Sequence, residues 1–540
     1  MSLKHLLLLL CLVSFAGAQK SKQKPVAPVP PPIEGITESQ LYAYLSFIAS
    51  DELEGRDTPS RGLNIAAKFI ATNLSRWGVV PAGDPGSYFQ KIALTRTKVR
   101  PSATTLALNG QSFAFGTDYI PAAIAGTVTA PLVFAKEGYV VKAKNLDPYA
   151  GLDVKGKIIV VTGGMPRSAS MADFKGKIGQ DYDTPANIAK TRGAAALVVI
   201  NYPQSPAQWE RTRASAVDRG TLTVPAFKKE GEIPAVPTVN ISAKLADVLF
   251  AGEKTGASTM SVRNSADSVA AFALSPSKSL AITVGVAVES LSTQNIVGMI
   301  PGTDSVLQDE FVAFGAHYDH IGIRSEPVNG DSINNGADDD GSGTVGLLAM
   351  AESFSKGPRP KRSLLFVWHV GEEKGLWGSK FFVEHPTVPL SNVITQLNID
   401  MIGRSRPDTG EASKNQDYSG PNEVFSIGSK MMSTQLGTLN EENNNGLFKL
   451  SLNYKFDDPA DPNRLFYRSD HYNYAKSGVP IVFFFDGIHE DYHRVSDEVQ
   501  KIDFTKLMKV TRTVASLGWK LANLPKRPVV DKQFDRDVMD

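Results

Sequence analysis

Histidines and carboxylates recur at separated places in the second half of this 540-residue chain, each just after an apolar run. His317-Tyr318-Asp319 follows Phe311 to Ala316, and Glu372-Glu373 comes shortly after Leu364 to Trp368. Asp400 ends Val393 to Ile399, and His493 lies beyond Val479 to Phe485. Asp338-Asp339-Asp340 sits in a Gly/Asn loop ahead of a helical stretch that starts at Gly343. Singly, each is ordinary. An acidic triplet caps a helix or faces water, a Glu pair lies on a helix surface, and lone histidines such as His369 and His385 read as packing or surface residues. Together they imply more, because loops beyond the carboxyl ends of neighbouring strands converge in space. Carboxylates gathered there repel one another unless a cation neutralises them. A nitrogen and oxygen donor set without thiolate suits catalytic Zn²⁺, which keeps a position open for water. A two-ion site with one bridging carboxylate needs five protein ligands, and His317, Asp338, Glu373, Asp400 and His493 supply them. Glu372 is left over as a general base.

The elements that must carry these residues follow from periodicity. Leu41, Leu45, Ile48 and Ala49 recur at helical spacing from Glu38. A second helix is expected from Gly62 to Trp77, with Ile65, Phe69, Ile70 and Leu74 on one side, after the polar segment Asp51 to Asp57. From about Ser279 the order is strand, loop, helix, and the continuous apolar run Leu364 to Trp368 suits a strand buried on both faces. The pattern predicts an α/β fold with a mixed, largely parallel central sheet flanked by helices. Between these parts, Pro131 to Ala135, Lys157 to Val161 and Ala196 to Ile200 are short β-type runs in a β-rich module without clustered ligands.

Composition sets the frame. Lys plus Arg number 57 and Asp plus Glu 56, so nothing in the charge balance favours nucleic acid or an anionic membrane. Lys4 and His5, the apolar run Leu6 to Phe15 and Ala16-Gly17-Ala18 read as an export signal cleaved after Ala18. The single cysteine, Cys11, falls inside that run, so the mature chain is expected to hold no disulfide. Export without disulfides points to a bacterial periplasm or exterior. No later run is long enough to span a membrane. The expected organisation is a signal at 1–18, a Pro/Lys/Val linker at 19–33, a first catalytic part at 34–111, the inserted module at 112–272, the main catalytic part at 273–525 and a tail at 526–540.

The strings Ala316-His317-Tyr318-Asp319, Gly336-Ala337-Asp338-Asp339-Asp340-Gly341-Ser342-Gly343, Gly371-Glu372-Glu373, Asn398-Ile399-Asp400-Met401 and Tyr492-His493-Arg494-Val495-Ser496-Asp497 resemble zinc metallopeptidase family 28. That family includes bacterial leucyl aminopeptidases, aminopeptidase Y and glutamate carboxypeptidase. Ser469-Asp470-His471 with Gly478-Val479-Pro480 is similar to its late segment. Tyr149 to Val161, followed by Ala186 to Val199, resembles the protease-associated domain often inserted in it. The resemblance implies a secreted exopeptidase acting on peptides with two Zn²⁺, an aminopeptidase or else a carboxypeptidase or dipeptidase, the further alternative being a non-catalytic binding protein on the same scaffold. It implies that His317 and His493 bind one ion each, that Asp338 bridges them, and that Glu373 and Asp400 are terminal ligands. It further implies Glu372 as base, Asp319 as the group orienting the His317 loop, and Tyr492 as an oxyanion donor.

Overall fold

The computed structural model describes residues 30–201, 205–257, 269–458 and 460–532. The expected export signal and most of the linker lie outside the described residues. Thr37 opens helix α1 (Glu38–Ile48) with a capping box: its hydroxyl accepts the Gln40 N–H, and the Gln40 side chain accepts the Thr37 N–H. This satisfies donors that the first turn cannot use internally. Leu41, Leu45 and Ile48 form the buried stripe. Ser60 caps helix α2 (Arg61–Arg76), whose buried face is Leu63, Ala66, Ile70 and Leu74. Ile65 and Phe69 are only half-buried. Small alanines, weak as a hydrophobic signal, centre the inner face and rotate it away from the expected one.

Strand β1 (Phe89–Val99) leads into the inserted module, which contributes β2 (Thr105–Leu108), β3 (Gly126–Phe134), β4 (Ile158–Thr162), β5 (Ala196–Ile200), β6 (Thr221–Thr223), β7 (Thr238–Ile241) and β8 (Ser279–Val284). The chain returns through β9 (Val286–Ile300), β10 (Phe311–His317), helix α3 (Gly343–Lys356), β11 (Ser363–His369), β12 (Val393–Ile399), β13 (Glu423–Ile427), β14 (Ser451–Asn453), β15 (Ile481–Phe485) and helix α4 (Phe504–Asn523). The large sheet runs β6-β1-β9-β11-β10-β12-β15-β13-β14. Its centre, β11-β10-β12-β15, is parallel. β9 and β13 flank that centre antiparallel. β10, β11 and β12 are buried along their whole length, which is why they read as continuous apolar runs.

Helices α1, α3 and α4 pack over one face of this sheet. Phe314 stacks on Phe366 with ring centroids 5.3 Å apart, and Phe354 stacks on Trp519 at 6.2 Å. Gly518 permits this approach, because a Cβ there would lie 2.1 Å from the Phe314 ring. Each such fully buried apolar side chain contributes about 1.5–3 kcal/mol.

The inserted module has its own sheet, in which β2-β8-β3-β4-β5-β7 are consecutive. β2 and β8 therefore belong to the module, although the sequence boundaries at 112 and 272 placed them in the catalytic parts. The two long strands β1 and β9 pair from Phe89↔Ile296 to Val99↔Val286 and form the ribbon that carries the module. The module also touches the catalytic part: β6 pairs with β1, Arg211 lies 3.0 Å from Glu326, and Lys175 donates to the Pro462 carbonyl at 3.4 Å. No described helix is long and apolar enough to cross a membrane.

Candidate metal centre

The parallel strands β10, β11, β12 and β15 end at one edge of the sheet, and the loops beyond them close on a shared point. His317 is the last residue of β10. Its Nδ1 lies 3.2 Å from the Asp319 carbonyl oxygen and 3.7 Å from the Asp319 carboxylate. Asp319 also accepts the Glu372 N–H at 3.2 Å and the Thr58 hydroxyl at 3.0 Å. The contact holds the His317 ring so that Nε2 faces the cluster, 3.3 Å from Asp339 Oδ1 and 3.5 Å from Asp400 Oδ1. The other Asp400 oxygen accepts the Ser469 hydroxyl at 2.6 Å. On the far side, His493 Nε2 lies 3.2 Å from Asp339 Oδ2 and 3.1 Å from Glu373 Oε2. His493 has φ +57°, a left-handed conformation that is unusual outside glycine. Tyr492 stacks on its ring at 3.9 Å and receives Arg468 at 3.5 Å on its hydroxyl.

Asp339 is thus shared between two donor groups, one oxygen to each: one with His317 and Asp400, to which Asp340 also lies close, and one with His493 and Glu373. Donors bonded to one tetrahedral zinc at about 2.0–2.2 Å stand ~3.3 Å from each other, and the separations above match that spacing. Asp339 Oδ2 and Glu373 Oε1 are buried without a hydrogen-bond partner. The electrostatics agree. The Asp400 and Glu372 charges hold His317 well above the usual histidine range despite the opposing effect of burial. His493, likewise against burial, is raised to about 10 by Asp339 and Glu373. The field of the cluster therefore favours positive charge, and the residues fit divalent cations.

The structure brings together His317, Glu373, Asp400 and His493, with Glu372 and Asp319 beside them, but not Asp338. The Asp338 carboxylate turns away, taking the Gly403 N–H at 2.7 Å and lying 3.2 Å from His489 Nε2. Asp339 occupies the shared position instead. The physical reason is local: Asp497 accepts the N–H groups of both Asp338 and Asp339, and Asp339 is extended at φ −99°, ψ 101°. Successive side chains in extended backbone point to opposite sides. Asp340 is a strut, accepting the N–H groups of His317, Gly343 and Met401. His369 is buried beside Asp470, 3.0 Å from the Tyr474 hydroxyl.

Two further residues did not emerge from the sequence. Arg56 is fully buried and donates to the carbonyls of Tyr318, Ile48, Asn335 and Gly336, tying the His317 loop to the Asp339 loop. Burial lowers its pKa to about 10 against the attraction of Asp319 and Asp339. His320 lies inside the cluster, its Nδ1 2.8 Å from Glu373 Oε1. The strings Gly55-Arg56-Asp57 and Asp319-His320 were the available signal.

Glu372 stands at the mouth of a cleft of about 600 Å³ lined also by Leu376, Lys380, Arg468 and Tyr472. Burial, then the Glu373 and Asp400 charges, push its carboxyl well above the usual range, with His317 opposing. A smaller apolar recess of Met401, Leu465, Phe483, Phe485 and Ile488 opens beside Asp339 and Asp400. The His and carboxylate cluster, Glu372 beside it and an apolar recess thus all lie at the carboxyl edge of an α/β sheet, where such folds gather their functional groups.

Residues 295–518 match the profile of peptidase family M28, and residues 128–249 match that of the PA domain. Residues 295–518 are thus a catalytic part of the zinc metallopeptidase family M28 type, with a protease-associated domain inserted ahead of it. Its relatives include leucine aminopeptidase 2 of Trichophyton equinum, 24% identical over 68% of this chain and 74% of the relative. A probable zinc metalloprotease of Pyrenophora teres f. teres is 26% identical over 43% of this chain and 49% of that protein. The solved aminopeptidase from Aneurinibacillus sp. strain AM-1 shares the fold with a TM-score of 0.53, at 18% identity, over 93% of this chain and 97% of its own.

Proposed function

We propose that the chain is an exported aminopeptidase that removes N-terminal residues from peptides at a two-zinc centre. The observation that carries this reading is the pair of donor groups sharing Asp339. His317, Asp339 and Asp400 would hold one ion, and His493, Asp339 and Glu373 the other. Bound there, zinc supplies Lewis acidity to a peptide carbonyl and brings the acidity of water toward neutrality. Glu372 takes the proton of the attacking water and hands it to the leaving amine, a role that its place in the cleft wall next to Glu373 supports. Asp319 keeps the His317 ring in register, and the Tyr492 hydroxyl donates to the developing oxyanion. The apolar recess, about 30 Å³ in volume, would have to widen to admit a leucine-like side chain of the kind the names of the fungal relatives suggest. The N-terminal apolar run supports export.

A carboxypeptidase reading draws on Arg468, which lines both the cleft and the recess. Arg404 does not serve it, because its guanidinium is buried against Asp491 at 2.9 Å. Peptides with free, N-acetylated and C-amidated ends separate the two. The proposal expects hydrolysis that N-acetylation abolishes and C-amidation leaves intact, and the reverse pattern would refute it. Replacing Glu372 by Gln is expected to lower kcat about 10²–10⁴-fold with zinc content unchanged, and a near-normal rate would remove Glu372 as the base.

A further inference from the structure

We infer that His320 is a third imidazole ligand, so that the ion beside His493 is held by two histidines and the ion beside His317 by one. The inference rests on the two-ion reading above and adds to its donor set. His320 is fully buried, and both its ring nitrogens are without hydrogen-bond partners. Nδ1 lies 2.8 Å from Glu373 Oε1 and 3.7 Å from Asp339 Oδ2, yet it makes no hydrogen bond to either. Glu373 Oε1 and Asp339 Oδ2 are themselves unpartnered. Three buried donors that face one another at such separations without hydrogen-bond alignment have the geometry of a shared cation. The His493 ring completes the group, with its centroid 5.6 Å from that of His320 at 71°.

The backbone is shaped to admit this ring. Gly336 has φ +56°, and a Cβ there would lie 2.6 Å from the His320 ring. His320 is pinned in turn by its N–H to the Arg56 carbonyl at 3.2 Å. A ring whose only role was packing would leave two imidazole nitrogens dry and unpaired, each at the full cost of its lost hydration. Ligation through Nδ1 satisfies one nitrogen. It also makes the two ion sites chemically unequal, with the nitrogen-richer site favouring zinc over magnesium or calcium.

The test is metal binding by the purified protein, followed by chelator competition and by the visible absorption of cobalt-loaded protein. His320→Phe keeps an aromatic ring but no ligand nitrogen, and His320→Asn keeps a group able to hydrogen-bond Glu373. If His320 is a ligand, both variants lose affinity for one of two ions by at least 100-fold, retain the other, and show a changed cobalt band for the weakened site. Unshifted far-UV circular dichroism in the metal-free state shows that the fold survives. If His320 only positions Glu373, His320→Asn binds both ions with wild-type affinity, and that result overturns the inference. A wild-type protein that binds fewer than two ions overturns the underlying two-ion reading instead.

Discussion

At the scale of the residue, the centre turns on which carboxylate of an Asp run faces its histidines. The sequence supplied the residue types and their loops, and it supplied His317, Glu373, Asp400 and His493 at the cluster. It could not supply the register of Asp338-Asp339-Asp340, because three identical side chains differ only in the backbone torsions that aim them. Those torsions are set by Asp497, more than a hundred residues away in sequence, through its bonds to the N–H groups of Asp338 and Asp339. The consequence is measurable. Asp339→Asn is expected to strip or weaken both ions and to lower kcat/KM by at least about 10³-fold. Asp338→Asn is expected to keep the zinc content and to lose about 1–3 kcal/mol of stability, because its partners His489 and Gly403 are buried. Metal analysis and denaturant melts of the two variants separate the roles, and equal zinc loss in both would contradict the assignment.

At the scale of the element, helices and strands serve mainly to fix loops. The periodicity of α1 was plain in Leu41, Leu45 and Ile48, and the strands β10 to β12 were plain as apolar runs. What they support was not. Leu45 of α1 reaches the Asp339 loop, so that a Cβ on Gly341 would lie 2.8 Å from its side chain. Arg56, in a segment that reads as an ordinary polar turn, is a hub because long-range packing buries it. Replacing Leu45 by Ala is expected to cost about 2–5 kcal/mol. Replacing Arg56 by Met leaves the carbonyls of Tyr318, Ile48, Asn335 and Gly336 without their donor, at a cost on the order of 3 kcal/mol. The Arg56 change should also weaken zinc binding, since it releases both loops at once. Equilibrium melts with chelator competition check the pair, and an Arg56→Met protein as stable as wild type would contradict its role as a hub.

At the scale of the whole molecule, the fold class was legible because strand, loop and helix alternate, whereas the extent of the insertion was not. β2 and β8 carry no signal that says which sheet they join; the pairing of β1 with β9 decides it by carrying the chain across to the module. The interior also sets how the molecule answers pH. His471 is fully buried, stacks on Phe483 at 4.3 Å, and lies with Nε2 2.8 Å from the Phe466 carbonyl. Burial lowers its pKa to about 3, from an ordinary value near 6.5. A group depressed in this way contributes full stability above about pH 6.5, and that contribution is lost as pH falls toward 3. The metal-free protein should therefore lose stability by up to about 1.4 kcal/mol per pH unit below 6.5 through this residue. His471→Gln, which keeps a donor for Phe466, is expected to show a shallower fall in Tm between pH 7 and 5. An unchanged slope would show that His471 is not the group responsible.

Scattered imidazoles and carboxylates are proposed to hold a pair of cations on either side of Asp339. Anomalous X-ray diffraction from zinc-loaded crystals, recorded on both sides of the zinc absorption edge, tests it directly. Two anomalous peaks are expected, one among His317, Asp339 and Asp400 and one among His493, Asp339 and Glu373. A single peak, or density beside Asp338 and His489 instead, would contradict the two-cation arrangement.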